Sequence, residues 1–86
     1  MNKENTQLIY IRDTVRPLLP RNYWVFINGT GVAIRKPFNM HRSNHYTYIY
    51  YERNKFVARY TKSSPPVAEH DTLEGLVAKL KLMGML

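Results

Sequence analysis

The sequence predicts an α+β fold in which a four-stranded antiparallel sheet, made of two hairpins, is flanked by an N-terminal and a C-terminal helix. Apolar residues recur at helical spacing near both ends of the chain. Two pairs of β-branched and aromatic runs lie between them, each pair joined by turn-forming residues. The 86 residues can bury one hydrophobic core and no more. We therefore expect residues 1–86 to form a single α+β domain with the order α-β-β-β-β-α.

The first helix is predicted to begin near Asn5 and to reach Leu18 at most. Pro17 has no amide hydrogen to bond back to Asp13, so the helix should end or kink near Arg16. Apolar residues at spacings of three, four and three share one helical stripe: Leu8, Ile11, Val15 and Leu18.

The first hairpin is predicted in NYWVFINGTGVAIRKP, because Asn and Gly accept the positive φ values of tight turns. With a loop of two or four residues, the alternating side chains of the two strands would share the same two faces. A three-residue loop would break this match between the strands. One face would carry Tyr23, Val25, Ile27, Val32 and Ile34. The other would carry Trp24, Phe26, Ala33 and Arg35.

The second hairpin is predicted from about His45 to Tyr51 and from about Phe56 to Thr61, with a four-residue turn through ERNK. One face is the better candidate for the core because it carries Ile49, Tyr51, Phe56, Ala58 and Tyr60. The opposite face would carry Tyr46, Tyr48, Tyr50, Val57, Arg59 and Thr61.

The remaining segments are predicted as two loops and the second helix. FNMHRSN lacks period-two alternation and is expected to be an irregular basic connection, and the prolines of KSSPPVAEHD favour a loop. Asp71 and Glu74 resemble a capping box, and Gly84 is a plausible C-terminal stop. The helical stripe between them is Leu73, Leu76, Val77 and Leu80.

Composition excludes several classes of protein. The chain has no cysteine, so it can form neither a disulfide nor a thiolate metal site. Without an apolar leader or a long apolar run, we expect a cytoplasmic protein with no membrane contact. His41 and His45 have a spacing that would suit a metal only on a helix. Because the segment that carries them is predicted to be irregular, we expect no metal. No phosphate loop or nucleophile motif is present, so we expect no cofactor and no enzyme.

Positive charge is concentrated in the middle of the chain. The net charge is +7, and the segment between Thr14 and Val67 contains nine bases and one acid, Glu52. We expect Glu52 to pair with its neighbours Arg53 and Lys55. Such segregation is typical of surfaces that bind polyanions, although a merely solvated basic surface would look the same.

An open sheet face that carries both rings and cations predicts binding of nucleic acid, DNA or RNA, with single strands favoured. If both helices cover one face, the other displays aromatic rings for stacking on bases and cations for phosphate. The predicted contacts are Trp24, Arg35, Lys36, Arg42, Tyr46, Tyr48, Tyr50, Arg53, Lys55 and Arg59.

Two alternatives are consistent with the same residues. One helix could cover each face, in which case the rings would form a second small core. Arg35 and Arg59 argue against that arrangement, because this acid-poor region hardly supplies partners for buried arginines. The face could also bind a host protein or a second copy of the chain, as a small phage-type interaction module would, since Tyr, Trp and Arg are enriched at protein interfaces.

Overall fold

A computed structural model of the chain describes residues 3–36 and 46–86, with side chains from Thr6 onward in the first range. The helices are α1 (Lys3–Val15) and α2 (Leu73–Leu82), and a 3-10 turn (Arg16–Leu18) follows α1. The strands are β1 (Trp24–Asn28), β2 (Gly31–Arg35), β3 (Tyr46–Glu52), β4 (Lys55–Arg59) and β5 (Pro66–His70). Neither helix is long and apolar enough to cross a membrane, within these described ranges.

The α+β class, the antiparallel sheet and the two terminal helices are confirmed, but the sheet has five strands rather than four. The additional strand, β5, lies in the segment predicted as a loop and, among the strands of the described residues, pairs with β4 alone. An edge strand tolerates a proline at its first position, because one of its sides has no hydrogen bonds to lose. Only Ala68 of β5 is buried, so the sequence shows no period-two signal there.

The strands follow one another across the sheet in the order β1-β2-β3-β4-β5, and both helices pack on the same side. α1 contacts β1 and β2, whereas α2 contacts β4 and β5. The core beneath them contains Ile11, Val15, Ile34, Ile49 and Leu76, each at most 1% exposed. Within residues 3–36 and 46–86, the sheet surface opposite these helices therefore has no helix over it.

Two-residue turns join both hairpins. Gly29 has a φ of 64° between β1 and β2, and Arg53 and Asn54 have φ values of 52° and 64° between β3 and β4. Two successive left-handed residues are the signature of a type I′ turn, which matches the twist of the strands it joins. The second turn is therefore two residues long and not four, but an even loop keeps the predicted faces. β4 ends at Arg59, so Tyr60 and Thr61 lie outside the strand.

The helix ends follow the local sequence closely. The α-helical part of α1 stops at Val15, and Pro17 sits within the 3-10 turn that follows. The N-cap of α2 is Thr72, whose hydroxyl accepts a 3.0 Å hydrogen bond from the Gly75 amide. The predicted N-cap at Asp71 is thus wrong by one residue. Threonine also caps helices well, and the helix begins at the next residue, Leu73.

Candidate functional site

The sheet surface opposite the helices, here called the aromatic face, carries the predicted rings and cations in cross-strand rows. The β1, β2 and β3 register places Trp24, Arg35 and Tyr46 in one row. The next row contains Phe26, Ala33, Tyr48 and Arg59. The even-numbered tyrosines of β3 therefore share a surface with the two arginines, as the alternation predicted.

The loop between β4 and β5, residues 60–65, folds back over one half of the aromatic face. Arg59 donates a 3.0 Å hydrogen bond to the carbonyl oxygen of Ser64, which places the loop on this side of the sheet. Lys62 reaches the β1–β2 turn, where its Nζ would lie 3.4 Å from a Cβ on Gly29. We call the part under the loop, around Tyr50 and Arg59, the closed half. The open half comprises Trp24, Phe26, Arg35, Tyr46 and Tyr48.

Tyr50 forms the floor of the closed half. Its side chain is 7% exposed and its ring lies against Gly31, where a Cβ would be 2.6 Å from the nearest ring carbon. The guanidinium carbon of Arg59 lies over the ring, 5.6 Å from its centroid. Burial, together with the neighbouring Tyr48, raises the pKa of the Tyr50 hydroxyl above its usual value. Tyr50 is thus a packed residue and offers little surface for stacking.

Arg59 is held in a paired arrangement with Glu52. Its guanidinium donates to both carboxylate oxygens of Glu52, at 2.7 and 3.0 Å. The sequence-based expectations that this region lacks an acid partner, and that Glu52 pairs with Arg53 or Lys55, are both wrong. Glu52 and Arg59 point to the same face on adjacent strands, whereas Lys55 lies 4.0 Å from Glu69. A phosphate would have to compete with the Glu52 carboxylate, which accepts from Nη2, and with the Ser64 carbonyl, which accepts from Nη1.

The open half presents rings in several orientations. Trp24 is 60% exposed, and the guanidinium carbon of Arg35 lies 5.2 Å from its ring centroid. Tyr46 packs edge-on against Phe26 and in a tilted arrangement beside Tyr48, with centroid distances of 6.1 Å in both pairs. These ring contacts and the cation–π contact preorganise the side chains, while Trp24 keeps area free for a ligand.

The predicted cations differ in their availability. Arg35 is half-buried and Lys36 is exposed, and among the described residues no carboxylate lies within ion-pair distance of either. Arg53 is exposed in its turn, and Lys55 and Glu69 flank a shallow depression of about 390 Å³ whose charges are mixed. Arg42 lies outside the described residues.

The structure brings two further residues, Lys62 and Phe26, to the aromatic face, and neither was among the contacts predicted from sequence. Lys62 follows β4 in a loop, so strand alternation assigns it to no face, and only the return of the loop brings it to the aromatic face. Phe26 was assigned to the correct face but left out of the proposed contacts. Its position opposite Ala33 follows from the register of the first hairpin, whereas its row with Tyr48 also requires the pairing of β2 with β3.

The burial of Tyr50 leads to a pH-dependent prediction. Because folding raises the Tyr50 pKa, the folded state holds the phenolic proton more tightly than the unfolded chain does. This stabilisation is complete below about pH 10 and is lost as the pH rises through the folded pKa. The free energy of unfolding should be measured with denaturant at neutral pH and again above about pH 10. We expect it to fall more between these two pH values for the natural protein than for Tyr50→Phe. Equal losses would contradict the burial of this hydroxyl.

Comparison with known proteins adds no assignment to this geometry. No protein-family model matches the chain, and no curated protein or solved structure matches it.

Proposed function

We propose that the protein binds single-stranded nucleic acid through the open half of the aromatic face, and that it acts as a binding protein and not as an enzyme. The observation that carries this proposal is an exposed Trp24 beside Arg35, within a cluster of rings that neither α1 nor α2 covers. Every base has a flat face that can stack on such a ring, at about 1 to 3 kcal/mol per base.

The charge on the open half supports a polyanionic ligand. β1, β2 and residues 46–50 of β3 contain no acid, so nothing in these strands repels a phosphate. Arg35 and Lys36 supply positive charge at one end of these strands. The acids of the aromatic face, Glu52 and Glu69, lie outside the open half, at the end of β3 and on β5, beside Arg59 and Lys55.

Single strands suit this surface better than duplexes do. A duplex keeps its bases stacked on one another, so their flat faces are not available to side chains, whereas a single strand can place a base on each ring. The open half is a strand surface and presents no described helix of the kind that enters a major groove.

Trp24 allows the contact itself to be observed, because it is the only tryptophan in the chain. Labelled single-stranded and duplex DNA and RNA should be titrated by anisotropy at two salt concentrations, with tryptophan fluorescence recorded in parallel. We expect the single strands to bind more tightly than the duplexes and to quench Trp24 fluorescence by stacking. Their affinity should fall as salt rises, with a log-log slope of about −0.7 per phosphate neutralised.

Arg35→Glu should weaken single-strand binding by about tenfold, since it removes one phosphate contact and introduces repulsion. The matched control is Lys79→Glu, which makes the same change in net charge on α2, on the other side of the sheet. Equal affinities of the two variants would show that only net charge matters and would overturn the assignment of this surface. Failure of all four nucleic acids to bind at low salt would overturn the function and favour a protein partner.

A further inference from the structure

We infer that the site takes a segment of about three nucleotides, which runs along β1 and β2 from Arg35 and Lys36 at one end to Lys62 at the other. This inference rests on the proposed function and adds the direction and length of the bound strand. The juxtaposition that carries it is the ammonium of Lys62 at the β1–β2 turn, on the face that carries Trp24 and Phe26.

The position of Lys62 depends on the folded loop and not on its place in the sequence. Lys62 follows β4, yet its side chain ends beside Gly29, which joins the first two strands. Between β4 and this turn, Lys62 crosses β3 and β2 on the aromatic face, where Arg59 donates its hydrogen bond to the Ser64 carbonyl oxygen. Among the described residues, no carboxylate lies within ion-pair distance of Lys62, so its charge is available to an anion.

The loop also gives the open half a boundary. Residues 60–65 cover Tyr50 and Arg59, so a ligand on Phe26 and Tyr48 meets the loop on the β4 side and solvent on the β1 side. A strand that crossed the sheet from β1 to β5 would run into this loop. A strand parallel to β1 and β2 would pass all four open rings and meet a cation at each end.

The separation of the two cationic ends sets the length of the segment. Gly29 follows Trp24 by five residues, and at about 3.4 Å per residue the two ends are about 17 Å apart. A stacked strand advances about 3.4 Å along its axis for each phosphate, and a strand whose bases are splayed out to stack on side chains advances about twice as far. Two to three splayed steps therefore span the site, which corresponds to about three nucleotides.

The test is a length series of oligothymidylates and oligouridylates of one to six nucleotides, titrated against Trp24 fluorescence at low salt. We expect affinity to rise with each nucleotide up to about three and then to level off, with a salt slope near −2 for the trimer. Lys62→Glu should weaken binding of the trimer and the hexamer by about tenfold and leave the mononucleotide unchanged. Arg35→Glu should weaken all three.

Lys79→Glu is again the matched control, and circular dichroism confirms that each variant is folded. If oligonucleotides quench Trp24 but Lys62→Glu and Lys79→Glu change the affinity equally, the bound strand does not reach Lys62. The proposed path is then wrong, while the proposed function stands. An affinity that keeps rising steeply through six nucleotides would likewise overturn the three-nucleotide length. If no oligonucleotide binds or quenches, the proposed function fails and this inference fails with it.

Discussion

Replacing Gly31 by alanine is expected to lower the free energy of unfolding by about 1 to 3 kcal/mol, the usual cost of forcing extra atoms into a packed site. The backbone is not the obstacle, because Gly31 lies outside the left-handed region. The obstacle is the Tyr50 ring, three of whose atoms would lie within 3 Å of the new methyl group. That ring cannot easily move away, since Arg59 and the loop lie over it.

Gly75→Ala is the matched control, since its new methyl group would also overlap with a ring, that of His70. His70 is exposed and can swing into solvent, at the cost of the hydrogen bond that its Nδ1 accepts from the Thr72 amide. Alanine also favours a helix over glycine by up to about 1 kcal/mol, so we expect little net change. Urea unfolding measures both variants. In a Tyr50→Leu background Gly31→Ala should cost less, and an unchanged cost would contradict the proposed clash.

Replacing Glu52 by alanine is expected to destabilise the protein by about 1 to 3 kcal/mol, because it leaves the Arg59 guanidinium without its carboxylate. Fully buried pairs can cost about 3 to 5 kcal/mol when one partner is removed. The side chains of Arg59 and Glu52 are 18% and 40% exposed, so solvent screens part of this loss. Lys55→Ala breaks the exposed contact with Glu69 and should cost at most about 0.5 kcal/mol.

The same substitution tests whether Arg59 is withheld from ligands. Removal of Glu52 should free Arg59 and strengthen binding of single-stranded nucleic acid at low salt, with a steeper salt slope. Glu74→Ala changes the net charge equally from an exposed site on α2, so it controls for long-range electrostatics. If Glu52→Ala gains no more affinity than Glu74→Ala, Arg59 does not contact the ligand even when it is released.

The two halves of the aromatic face divide the roles that the sequence assigned to one surface. Tyr50 and Arg59 were predicted to contact a ligand, but the structure buries the first and pairs the second. Trp24, Tyr46 and Tyr48 remain uncovered by the helices, together with Arg35. Our proposals therefore place the ligand on β1, β2 and the first half of β3, and assign the closed half to stability.

The helices and hairpins were predictable because their signals are local. The stripe of α1, the stop near Pro17 and the faces of both hairpins depend on spacing and on turn residues within a few positions of one another. The fifth strand was not predictable in this way. β5 buries only Ala68, and an edge strand that pairs on one side needs little apolar alternation.

By itself, the sequence determined the fold class, the faces of the first four strands and the excess of positive charge, since these follow from periodicity, turn chemistry and composition. Only the tertiary structure decided which rings and cations are free. Whether a side chain is exposed depends on contacts that strand alternation does not specify, such as the ion pair of Glu52 with Arg59 across the second hairpin and the approach of Lys62 to Gly29. No local pattern encodes the position of Lys62, because it arises only once the loop after β4 folds back over the sheet.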